Sequence, residues 1–235
     1  MSELNGRAAV VTGAFGALGQ AVAAALAQAG ARVALLGHGK AAPPVAAQFG
    51  APHMLLTAVE LTDLSSTQAA MDAAQRGFGR IDILVNVAGA FRWEKIGSGI
   101  DSWDAMYETN LKTAVVASKA VLPHLLASAP GGRIINIGSG VASKAATAGM
   151  GAYAASKVGV QKLTESLAEE LKDRGITVNA ILPGTIDTPQ NRASMPDADT
   201  SRWVAPAAIA EVVTFLASAR AAAVIGAAIP VFGRG

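Results

Sequence analysis

Six short runs of aliphatic and β-branched residues, at 8–12, 32–36, 81–86, 133–137, 177–182 and 227–232, recur along the chain with alanine-rich stretches between them. This alternation constrains the fold more than any other feature, because repeated strand–helix–strand units close into a parallel sheet with helices over its faces. The runs are nearly all apolar, as strands covered on both faces must be. The intervening patterns predict helices over 17–29, 65–78, 102–127, 152–174 and 206–219. Asp63 or Ser65 stands where a helix cap is needed, Gly175 follows the fourth helix, and Pro206 falls in a first turn, where a missing N–H costs nothing. No repeat, charge block or Ser/Pro linker divides the chain. Residues 1–235 are therefore expected to form a single α/β domain, a doubly wound parallel sheet flanked by helices on both faces.

Composition removes several classes of function. Hydrophobic residues make up 51% and charged residues 15%, enough apolar surface for a packed core. A formal charge of +2, with Lys and Arg scattered, supplies no basic stripe for nucleic acid. The absence of cysteine rules out disulfides, thiolate metal sites and a cysteine nucleophile. His38, His53 and His124 lie far apart without ligand spacing, so no metal site is expected. Residues 1–7 carry no apolar signal region, and Gln28, Gly30 and Arg32 interrupt the apolar stretch 21–36. A cytoplasmic protein without membrane attachment is the expectation.

The first run leads straight into Thr12-Gly13-Ala14-Phe15-Gly16-Ala17-Leu18-Gly19 and then an alanine-rich helix. Glycines there let the backbone turn sharply and approach a pyrophosphate, whose charge a helix N-terminus favours. Tight turns also use glycine for steric reasons alone. It is the strand before and the helix after that make this a dinucleotide-binding turn and the sheet Rossmann-like. In such a fold an acid ending the second strand accepts hydrogen bonds from the adenosine ribose hydroxyls. That position is Gly37, followed by His38 and Lys40, so NADP(H) is favoured, with NAD(H) the alternative.

Tyr153 and Lys157 stand four apart in a predicted helix and so project from one face. An isolated pair of this kind more often packs as a surface stem. A phenol with an ordinary pKa of about 10 is a poor acid or base near neutrality, and the expectation is that the Lys157 ammonium lowers it. Tyr153 could then exchange a proton with a carbonyl or alcohol oxygen while hydride passes to or from a nicotinamide. Ser139 follows the 133–137 run, at the sheet edge where α/β sites form. The irregular stretch 184–204 is long enough to be a functional lid.

Taken in order, these motifs resemble the short-chain dehydrogenase/reductase family across residues 8–233. Gly13 and Gly19 match its glycine turn, although the middle family glycine falls on Ala17, with Gly16 one place early. The resemblance implies cofactor contacts from Gly13, Phe15, Gly16, Ala17, Leu18 and Gly19, then from Gly37 and His38. Glu60 and Leu61 would hold the adenine edge, and Asn86, Ala88 and Gly89 would back the cofactor. Pro183, Gly184, Ile186 and Thr188 would lie beside the nicotinamide. Four catalytic roles are implied: Ser139 orients the substrate oxygen, Tyr153 moves its proton, Lys157 also binds the nicotinamide ribose, and Asn110 bends a helix and holds a relay water.

The activity implied is hydride transfer between NADP(H) or NAD(H) and a small carbonyl/alcohol substrate, by a homotetramer or homodimer packed through 102–127 and 152–174. Residues 185–203 are similar to a segment of the dihydropteridine reductases, a branch of this family, which makes quinonoid dihydropterin reduction an alternative. A non-catalytic NADP-binding regulator is a second alternative, with no need for Ser139, Tyr153 and Lys157 together. On the substrate side Phe91, Arg92 and Trp93 could form one wall, and Met195 and Trp203 could roof an apolar pocket or only pin the loop. Arg192 could meet an acidic substrate or pair with Asp187 or Asp199.

Overall fold

A computed structural model describes residues 3–39, 53–144 and 146–234; Lys40 lies outside them. Seven strands form one sheet: β1 (Ala8–Thr12), β2 (Arg32–Leu36), β3 (His53–Leu56), β4 (Ile83–Asn86), β5 (Arg133–Ile137), β6 (Thr177–Pro183) and β7 (Ala228–Val231). They run in the order β3-β2-β1-β4-β5-β6-β7, and every pairing is parallel. The expected doubly wound sheet is what forms. Strand β3 was not anticipated, since His53-Met54-Leu55-Leu56 lacks β-branched residues and sits half covered at the sheet edge.

Alternation along the strands divides the core in two. Val10, Leu84 and Ile134 face α2 (Leu64–Phe78), α4 (Thr113–Ala127) and α5 (Gly151–Leu171), packing with Met71, Val121 and Ala168. Their neighbours Val11, Val85 and Ile135 face α1 (Ala17–Gln28) and α7 (Pro206–Ala217), packing with Leu26 and Leu216. Successive strand residues thus serve opposite layers, and each such side chain contributes about 1.5–3 kcal/mol on burial. Asp63 caps α2 by accepting from the Ser66 N–H at 2.6 Å, and Gly79 ends it in the left-handed conformation.

Two expected elements differ in detail. The 102–127 helix is divided into α3 (Asp101–Met106), a π-helical turn (Tyr107–Lys112) and α4. The 184–204 stretch contains a short helix, α6 (Pro189–Ser194), started by Pro189 and capped by Thr188. Among the described residues no helix is long and apolar enough to cross a membrane.

Candidate active site

The chain leaves β1 toward β2 and β3 on one side, then returns to start β4 on the other side of β1. This reversal is a topological switch point, and sheets of this kind bind ligands at the C-terminal ends of the strands beside it. Gly13 has φ +61°, and a Cβ there would come within 2.7 Å of the Ala88 backbone. At Gly19 a Cβ would overlap the Gly13 carbonyl, so α1 packs directly against the turn. Among the described residues no side chain caps α1 and no acid stands in its first turn, while Gly16 and Ala17 are exposed. The result is a set of open N–H groups at the positive end of a helix dipole, the cradle a pyrophosphate needs. The alanine in place of the middle glycine begins the helix without closing that cradle.

At the end of β2, Gly37 is covered by the ring of Phe15, into which any Cβ would run. An aromatic ring thus fills the volume of the missing acid. His38 is largely exposed and lies 3.6 Å from the Glu60 carboxylate. Glu60 also accepts from the N–H and hydroxyl of Thr62, at 3.1 and 2.7 Å, and these bonds hold its carboxyl below the usual range. Leu61 is buried in the α2 layer of the core.

The hydroxyl oxygen of Thr12 accepts from the N–H groups of Val87 (3.1 Å) and Ala88 (3.3 Å), tying the ends of β1 and β4 together. Asn86 donates to Asn136 at 2.9 Å, and Asn136 donates to Thr164 of α5 at 2.9 Å. This buried polar chain sets the depth of α5 against the sheet, and with it the height of the tyrosine and lysine that α5 carries.

Tyr153 and Lys157 point from α5 to the ends of β4 and β5. Lys157 is buried and donates to the Ile137 carbonyl at 2.9 Å. Loss of hydration lowers its pKa to about 8. The Tyr153 phenol is hydrogen-bonded to Ser139, which lowers its pKa, but burial outweighs this and pushes it above the ordinary phenol value. The expected lowering by Lys157 is not found: the ammonium is engaged with Ile137, and desolvation of the phenolate governs. Gly89 makes room for the cluster, since a Cβ there would lie 2.7 Å from Asn110 Oδ1 and 3.2 Å from Lys157 Nζ.

Asn110 lies in the π-helical turn between α3 and α4. That side chain accepts from the Ala90 N–H (2.8 Å) and donates to the Ala90 carbonyl (3.0 Å) and to Ser156 Oγ (3.0 Å). Ser156 in turn donates to the Tyr153 carbonyl at 2.7 Å. Asn110 thus clamps the loop after β4 to α5. Ser156 was not singled out in the sequence, because serine within a helix carries no signal of its own.

Beyond β6, Pro183 ends the strand and the Gly184 N–H bonds the Val231 carbonyl at 3.0 Å. Ile186 pairs with Val204 in an isolated bridge. Thr188 accepts from the Asn191 N–H at 3.1 Å, leaving its hydroxyl proton to donate elsewhere. Arg192 pairs with Asp187 through two short bonds, 2.5 and 2.8 Å, instead of standing free for an acidic ligand. Phe232 escaped the sequence reading: it packs where a Cβ on Gly140 would be, 2.7 Å from its ring, while its backbone lies against Gly184. The end of the chain therefore braces the turns after both β5 and β6, with Lys144 stacked 4.0 Å over the Phe232 ring.

A doubly wound parallel sheet, with an open glycine turn at its switch point and a partly buried tyrosine one helical turn from a buried lysine beside it, defines a nicotinamide-dependent oxidoreductase. The model of the short chain dehydrogenase family matches residues 7–199, and the chain belongs to that family. It is 36% identical to a 3-oxoacyl-(acyl-carrier-protein) reductase of Vibrio cholerae, with 98% of each chain covered. It is 37% identical to a D-threitol dehydrogenase of Mycolicibacterium smegmatis, covering 98% of this chain and 93% of that one. Among solved structures, a short chain dehydrogenase of Burkholderia cenocepacia in complex with NADP superposes with a TM-score of 0.87 at 32% identity, with 98% of each chain covered.

Proposed function

We propose that this protein interconverts a small carbonyl compound and its alcohol at the C-terminal ends of β4 and β5, with Tyr153 as the group that moves the proton. The observation that carries this reading is the partly buried phenol hydrogen-bonded to Ser139, one helical turn from a buried lysine. The glycine turn from Gly13 to Gly19 and the backbone at Asn86, Ala88 and Gly89 would hold a nicotinamide dinucleotide, with Pro183, Gly184, Ile186 and Thr188 at its nicotinamide end. When bound, the reduced dinucleotide supplies the hydride that turns a carbonyl carbon into an alcohol carbon.

In the reductive direction Tyr153 gives its proton to the substrate oxygen, and its raised pKa keeps that proton available at neutral pH. Ser139 would hold the same oxygen; its own oxygen accepts from the Val141 N–H at 3.4 Å, which leaves its hydroxyl proton available to donate. Lys157, one helical turn further along α5, would bind the nicotinamide ribose from its anchored position on Ile137. Asn110 acts through Ala90 and Ser156, as a positioning residue.

NADP(H) is the cofactor we favour over NAD(H). Gly37 presents no carboxylate to repel a 2′-phosphate, and the Burkholderia relative is solved with NADP. Titration of protein fluorescence with NADPH and NADH tests this, and markedly tighter NADH binding reverses it. Relatives named for a 3-oxoacyl group and for D-threitol support a carbonyl/alcohol pair over a pterin. The exposed apolar residues Trp103, Tyr107, Val115 and Val158 on α3, the π turn, α4 and α5 favour self-association through those helices. Sedimentation showing a monomer at micromolar concentration would count against it.

The decisive experiment is Tyr153→Phe. We expect most turnover to vanish while cofactor affinity stays near that of the parent, and Lys157→Ala to weaken both. Unchanged turnover in Tyr153→Phe overturns the proposal.

A further inference from the structure

Phe91 lies just past β4 on a loop fastened on both sides. Upstream, both backbone groups of Ala90 are held by Asn110, at 2.8 and 3.0 Å. Downstream, the Trp93 indole donates to the Ala148 carbonyl (3.0 Å) and the Glu94 N–H donates to Gly149 (2.9 Å). The Trp93 ring lies flush on Gly149, whose φ of +80° and lack of a Cβ allow that approach. Glu94 also accepts from the Ser102 N–H at 3.0 Å, at the start of α3. The loop is therefore bound to the segment that leads into α5, the helix carrying Tyr153.

Held this way, the Phe91 ring meets the Tyr153 ring edge to face, with centroids 5.1 Å apart and planes at 87°. Yet 54% of Phe91 remains exposed. A large apolar ring kept open to solvent on a pinned loop, in contact with the proton donor, has one face left to be covered. The ring is within reach of a carbonyl compound held at Tyr153.

We propose that Phe91 selects the substrate: the preferred carbonyl compound carries a flat apolar group, aryl or alkenyl, on a substituent of the reacting carbon, and not a chain of hydroxyls. Hydroxyl groups against the ring would lose water without gaining a partner, whereas an apolar group gains its transfer energy and an aromatic one gains ring contact as well. The proposal rests on Tyr153 being the proton donor.

The test compares benzylacetone with dihydroxyacetone, each reduced with NADPH by the full chain. Wild type should favour benzylacetone in kcat/KM by about tenfold or more, the discrimination an apolar wall supplies. Phe91→Ala should collapse that ratio by about tenfold, mainly through the KM for benzylacetone, and Phe91→Leu should restore part of it. Calorimetric titration of benzylacetone into the protein with NADP should show the same ranking without turnover. No preference in wild type, or equal loss on both ketones in Phe91→Ala, overturns the proposal. Turnover that survives Tyr153→Phe would instead strike the underlying assignment, so the two failures are distinct. Because Phe91 is half exposed, its variants should melt near the wild-type temperature.

Discussion

Lys157 and Ile137 are joined by a hydrogen bond of 2.9 Å between the lysine ammonium and the last carbonyl of β5. The strand end thereby anchors a cation that burial works against, and the conflict is visible in a pKa lowered from 10.5 to about 8. Such a cost is retained where function needs the group.

The first prediction follows from that shift. Between about pH 8 and 10.5 the unfolded chain holds a proton on Lys157 that the folded chain has lost, so this residue makes stability rise with pH across the window. Below about pH 8 the burial penalty is fully present, at most about 3 kcal/mol. Lys157→Met should lack this rise. Thermal unfolding at pH 7 and pH 10 should show the parent gaining on the variant at the higher pH, and a constant difference would disprove it.

Tyr153, with its pKa raised by burial, stays protonated through neutrality. Ketone reduction should therefore change little between pH 6 and 8, whereas alcohol oxidation, which needs the phenolate, should rise toward about tenfold per pH unit. Initial rates in both directions across this range check the expectation. Removal of the phenol in Tyr153→Phe should cost about 10²–10⁴-fold in kcat.

A methyl group on residue 89 would sit 2.7 Å from Asn110 Oδ1 and 3.2 Å from Lys157 Nζ. Gly89→Ala should displace both side chains and lower kcat by about 10²-fold, the cost of misplacement by about 1 Å. The backbone φ of Gly89 is not in the left-handed region, so the fold should survive. Circular dichroism and turnover measured together separate the two effects.

Far from the site, buried Asp82 accepts from the Ala8 N–H at 2.9 Å and from Arg80 at 2.5–3.0 Å, at the N-terminal edge of the sheet. Asp82→Ala leaves that N–H unpaired and Arg7 without its nearby carboxylate. We expect a loss of about 3 kcal/mol in urea unfolding. The folded fraction should keep its specific activity, in contrast to Gly89→Ala.

Phe232 should matter to catalysis without touching the reacting atoms. Phe232→Ala removes the ring packed on Gly140, leaves the backbone contact with Gly184 in place, and should lower kcat more than it raises cofactor Kd, and Phe232→Leu should recover part of the loss. A change in thermal stability with kcat intact would show the contact to be structural only.

The layered parallel sheet, the glycine turn and the Tyr153–Lys157 pair were legible in the chain itself, because each depends on neighbours in sequence: continuous apolar runs in strands, glycine at a tight turn, a four-residue step on one helix face. Tertiary packing decided the rest. Strand β3 exists because β2 offers it an edge, and the π turn brings Asn110 onto Ala90 and Ser156. Phe15 fills the space over Gly37 from another segment, and Phe232 reaches Gly140 from the end of the chain. The direction of the Tyr153 shift belongs to this second group. Sequence spacing places a lysine near the phenol, but the balance between its charge and the loss of water is set by the elements that close around both.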